Sequence, residues 1–142
     1  MKKIILAILA LIISVGFFAC DNSQNTKTSK TETQQTKTSV VEVYYFHGAR
    51  RCVTCMAVGE VSSRFVETKY GKNSKVKFIE VNIDEDTPGI EELAKIFMVT
   101  GSGLYVYNGA EIENITTFAF QNAISSPEKL QKKLTELINK NL

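Results

Sequence analysis

Tryptophan is absent from this 142-residue chain, proline occurs twice, cysteine three times and histidine once. Three cysteines and one histidine are too few for a zinc ribbon or for a mini-protein stapled by several disulfides, which need four or more such residues. Nor is there an excess of either charge: 17 Lys and Arg face 15 Asp and Glu, and Lys2 and Lys3 account for the whole difference. That balance excludes a nucleic-acid partner recruited by charge alone. The Gly-rich fingerprint of a flavin or nicotinamide site is missing, and Gly101-Ser102-Gly103 is too short to cradle a phosphate, so no cofactor is expected. The length suits one globular domain with extensions and is too short for two full cores.

The long apolar stretch is confined to the N-terminus. Met1-Lys2-Lys3 precedes Ile4–Ala19, a run of 16 residues broken only by Ser14 and Gly16, with the basic head and apolar body of a secretory signal. A spanning helix needs about 20 apolar residues, so residues 1–19 are expected to be a cleaved signal peptide. Its end, Phe17-Phe18-Ala19-Cys20, resembles that of bacterial lipoproteins, in which a small residue precedes a lipidated cysteine. That resemblance implies lipidation at Cys20 and a membrane anchor; the alternative is an uncleaved anchor with Cys20 an ordinary apolar residue. Both place the remainder outside the cytoplasm, on the periplasmic face if the cell has two membranes. Asp21 to Ser39 contains no aliphatic or aromatic residue and cannot bury enough surface to offset its ordering entropy. With Cys20 it forms a tether over 20–39, with an end-to-end reach of about 25 Å for a flexible coil.

The domain occupies 40–142. Val40–Phe46 is dense in β-branched and aromatic residues and reads as a buried strand. A helix follows from Cys52, with Val58, Val61 and Phe65 at helical spacing and Gly71 as its stop. Lys75–Ile83 reads as a second strand, leading to an acidic turn at Asp84-Glu85-Asp86 that lacks calcium-loop spacing. Ile90–Phe97 is a short helix with Leu93, Ile96 and Phe97 on its apolar stripe. Leu104–Tyr107 is a third strand, Asn108-Gly109 a type I′ hairpin turn, and Glu111–Phe120 the return strand. A last helix starts at Ser125 or Ser126, with Leu130, Leu134, Leu137 and Ile138 facing the core. The order is βαβαββα: an α/β fold with a mixed four-stranded sheet, helices on both faces, and the crossover-linked strands parallel.

Cys52-Val53-Thr54-Cys55 stands where the first strand's loop meets the first helix. Unpaired N–H groups and the macrodipole at a helix start favour an anion, and the anion available is a thiolate. Arg50 and Arg51 would add a cationic field if they fold back. Cys52 is the expected attacking thiol, and Cys55, one turn deeper, the resolving thiol that closes a Cys52–Cys55 disulfide. As a mere staple, a loop of about four residues would restrain the unfolded chain by only about 2 kcal/mol. His47, five residues before Cys52, could tune the thiol or serve as a third ligand beside Cys52 and Cys55; the alternative is a loop histidine without chemistry.

With CxxC at the head of the first helix, βαβαββα order and the Asn108-Gly109 hairpin, the domain resembles the thioredoxin superfamily. The resemblance implies a thiol–disulfide oxidoreductase with Cys52 as nucleophile and Cys55 as resolving thiol. Arg51 stands where that family carries Trp, the acid of its first strand is missing from Val43-Tyr44-Tyr45, and Thr100-Gly101-Ser102-Gly103 lacks its proline. In thioredoxin-like proteins that last loss implies a capacity to bind metal at CxxC. The string YYFHGARRCVTC is similar to that of thioredoxin-like lipoproteins described as nitrophenyl-compound nitroreductase subunits of arsenic-resistance operons. The expected partners are therefore the membrane, a protein redox partner or a membrane transporter or reductase subunit. The rival functions are a soft metal or metalloid site at Cys52 and Cys55, with or without His47, and an accessory subunit whose surface matters more than its thiols.

Overall fold

The computed structural model describes residues 40–142. The expected signal peptide, lipidated Cys20 and tether lie outside the described residues. Eight elements follow in order: β1 (Val41–His47), α1 (Val53–Tyr70), β2 (Val76–Asn82), α2 (Ile90–Ile96), β3 (Gly103–Tyr107), β4 (Ile112–Asn114), α3 (Thr116–Asn122) and α4 (Pro127–Asn141). No helix among the described residues is long and apolar enough to cross a membrane.

The four strands form one mixed sheet in the order β2-β1-β3-β4. Strand β1 is central because both of its faces are apolar. Val41, Val43 and Tyr45 join a core with residues of α1, α3 and α4, while Tyr44 and Phe46 join a second core with Val81, Phe97 and Tyr105. Helices therefore cover both faces, α2 on one and the other three on the opposite one, in the α/β arrangement of thioredoxin-like folds. In α4, Leu130, Leu134, Leu137 and Ile138 are all buried, and Pro127 opens the helix after Ser126.

Four local expectations are corrected. β1 and β2 are parallel, but β3 runs antiparallel to β1. The 18 residues of α1 span about 27 Å, enough to return the chain to the start of the sheet. The 7 residues of α2 span only about 10 Å, against about 23 Å for a strand of 7 residues, so the chain re-enters from the opposite end. The return strand is only Ile112–Asn114, and the segment after it is helix α3. Ile115, Ala119 and Ala123 are buried at helical spacing, and the Thr116 hydroxyl accepts the Leu104 N–H at 3.0 Å. The hairpin is not type I′, because its positive φ (87°) falls on Gly109 while Asn108 is not in the left-handed region. Asn108 and Glu111 bracket the turn, and the Asn108 carboxamide oxygen accepts the N–H groups of Ala110 and Glu111; a Gly at the first central position is the type II′ arrangement. At the end of α2, the capping Phe97 is buried as expected but Ile96 is exposed.

Candidate functional site

Where β1 ends, the chain turns through Gly48–Arg51 into α1. Cys52 is the N-cap of α1, and its sulfur accepts the Cys55 N–H at 3.3 Å. The side chain thus takes the place a Ser or Asp would fill, satisfying one of the orphan donors of the first turn. That turn contains no acidic residue, so no carboxylate within it opposes an anion there. Cys52 is exposed and Cys55 buried, both are free thiols, and their sulfurs are 3.0 Å apart. The Cys52 thiol is held below the usual thiol range, first by the hydrogen bond from the Cys55 thiol and then by the Cys55 backbone N–H. Val53 and Met56 are exposed beside it.

The sheet fastens this turn from below. The Tyr45 hydroxyl donates to the Cys55 carbonyl at 2.6 Å. The Tyr45 ring lies against Gly59, where an added Cβ would stand 2.6 Å from ring carbon Cε1. Burial pushes the Tyr45 phenol up to about 12, with Arg51 close enough to oppose the rise. The loop before Cys52 is fastened too, since Asp84 accepts the Ala49 N–H at 2.7 Å. The acidic turn at Asp84 therefore supplies an anchor.

His47 is the last residue of β1 rather than a loop residue, and it is buried. Its Nε2 lies 3.0 Å from Glu80 Oε1 and its Nδ1 2.9 Å from the Gly48 carbonyl. Both partners are oxygen acceptors, so each ring nitrogen faces one of them. Arg51 donates from Nη1 to the same Glu80 oxygen at 2.7 Å. The guanidinium is therefore engaged by a carboxylate, and the lowering of the Cys52 thiol comes from hydrogen bonds within the CxxC turn. Arg50 is exposed. With both His47 nitrogens engaged, His47 is not free to join Cys52 and Cys55, and among the described residues no three His, Cys, Asp or Glu side chains are grouped as metal ligands.

Sequence reasoning missed Glu80. It interrupts the apolar run of β2 and sits opposite Tyr45 in the parallel register, on the sheet face that carries Val76 and Phe78 into the α1 core. An acid inside a strand was the available signal, but its partners follow only from the register.

No family model matches the chain, and no curated protein does. Among solved structures, one described as "Structure of a malarial protein" is 21% identical with a TM-score of 0.49, covering 72% of this chain and 98% of its own.

Proposed function

We propose that the domain is a thiol–disulfide oxidoreductase that cycles Cys52 and Cys55 between dithiol and disulfide, held outside the cytoplasm by a lipid on Cys20. The observation that carries the reading is the asymmetry of the pair: an exposed Cys52 capping α1, with a buried Cys55 whose sulfur is 3.0 Å away. In the reductive direction the Cys52 thiolate attacks one sulfur of a partner disulfide. A mixed disulfide forms and one partner thiolate leaves. Cys55 then gives up its proton and attacks the Cys52 sulfur, forming Cys52–Cys55 and releasing the second partner thiolate, so two electrons pass to the partner. A protein dithiol restores the pair by the same steps in reverse. Exposed Val53 and Met56 offer a protein partner apolar contact around the attacking sulfur.

Replacing Cys55 by Ser tests this. Without a resolving thiol, Cys52 should accumulate as a mixed disulfide with a partner protein, captured under oxidising conditions and released by reductant. Absence of any trapped species across the redox range sinks the reading. Protection of both thiols from alkylation by a trivalent metalloid, with no trapped species, replaces it with the ion-binding function.

A further inference from the structure

One carboxylate oxygen, Glu80 Oε1, accepts from Arg51 Nη1 at 2.7 Å and lies 3.0 Å from His47 Nε2. His47 is itself fixed, 5% exposed, bonded to the Gly48 carbonyl and 5.3 Å from the Tyr45 ring. Such a half-exposed ion pair adds little to stability. Its consequence is where it puts a charge, because Arg51 is the neighbour of Cys52 in the chain and a guanidinium so placed would otherwise be available to the thiolate.

We propose that Glu80 is a positioning residue that withholds the Arg51 cation from Cys52 and so keeps the potential of the Cys52–Cys55 pair low. The inference rests on the oxidoreductase reading and adds a determinant of its set point. The dithiol state can carry a thiolate and the disulfide carries no charge, so a cation released toward Cys52 stabilises the reduced form alone and makes the pair more oxidising. The Cys52 thiol is lowered first by the hydrogen bond from the Cys55 thiol and then by backbone N–H groups of the turn, while the Arg51 guanidinium is held on Glu80.

The test equilibrates the full chain in detergent micelles with glutathione redox buffers and reads Cys52 and Cys55 by alkylation and peptide mass. Glu80→Gln should shift the equilibrium toward the dithiol by roughly tenfold, a rise of about 30 mV for a two-electron couple. Arg51→Met alone should move it by no more than about twofold, and in the double variant the Glu80→Gln shift should vanish, the signature of coupling through Arg51. An unmoved or lowered midpoint in Glu80→Gln overturns the proposal while leaving the oxidoreductase reading intact. A rise that survives Arg51→Met overturns the route through Arg51. A wild-type chain with no reversible midpoint overturns both. Circular dichroism checks the fold, and Glu80→Ala, which removes the acceptor outright, serves if the glutamine variant does not fold.

Discussion

The Tyr45 hydroxyl, buried in the sheet, donates to the carbonyl of Cys55 at 2.6 Å. The bond ties the first turn of α1 to the central strand, so Cys55 is placed by the core rather than by its own loop. Tyr45→Phe keeps the ring and leaves that carbonyl without its donor, which should cost about 1 to 3 kcal/mol in urea unfolding. The pH dependence should change with it. A phenol raised to about 12 by burial contributes stability that is complete below the unfolded value near 10 and lost as pH rises through the folded value. Tyr45→Phe should therefore lose less stability than wild type between about pH 10 and 12, with Tyr44, also raised to about 12, keeping part of the decline.

Cys52 should react with iodoacetamide with a pH midpoint below the free-thiol value of about 8.5. Its leading cause is the hydrogen bond from Cys55, so Cys55→Ala should raise that midpoint. The linkage has a definite sign. A depressed thiol adds stability to the reduced protein that is full above the unfolded thiol value and lost as pH falls through the folded one. Thermal unfolding of the reduced protein should thus gain from rising pH in wild type more than in Cys52→Ser; equal pH profiles count against the geometry.

Much of this was legible in the residues. Strand β1 announced itself by its aromatic and β-branched density, α4 by its leucine spacing, and CxxC by its place between strand and helix. What failed did so where tertiary contacts decided. Ile115–Phe120 has strand-like residues, yet Ile115, Ala119 and Ala123 bury one helical face, and propensity yields to that packing. The direction of β3 depended on the length of α2, a three-dimensional constraint. His47 and Arg51 were recognised as neighbours of the thiols, but their common partner Glu80 lies 29 or more residues away and meets them only through the β1–β2 register.

The anchor has its own test. If Cys20 carries the lipid, the full chain expressed in bacteria should take up an alkyne-labelled fatty acid and partition with membranes, and Cys20→Ser should lose the label. Labelling that persists in that variant rules out Cys20 as the acceptor. The lipid acts only through tethering, so the variant's Cys52–Cys55 midpoint in detergent should match wild type.

Gly59→Ala sets two effects of opposite sign against each other. On helix propensity alone, alanine inside an 18-residue helix should stabilise by about 1 kcal/mol over glycine. The added methyl, however, would stand 2.6 Å from Tyr45 Cε1 and 3.0 Å from Cδ1. That ring cannot swing aside, because Tyr45 has no exposed surface and its hydroxyl is held by Cys55. Either α1 lifts from the sheet or the ring leaves its rotamer, and overpacking of this kind costs about 1 to 3 kcal/mol. Packing should win, with Gly59→Ala net destabilised by up to about 2 kcal/mol in chemical unfolding. Lifting α1 would also lengthen the Tyr45–Cys55 bond, so Cys55 should alkylate faster in the reduced variant than in wild type. A stabilised Gly59→Ala with unchanged Cys55 reactivity would show that α1 has slack above Tyr45, and that the sheet does not set the position of the thiols.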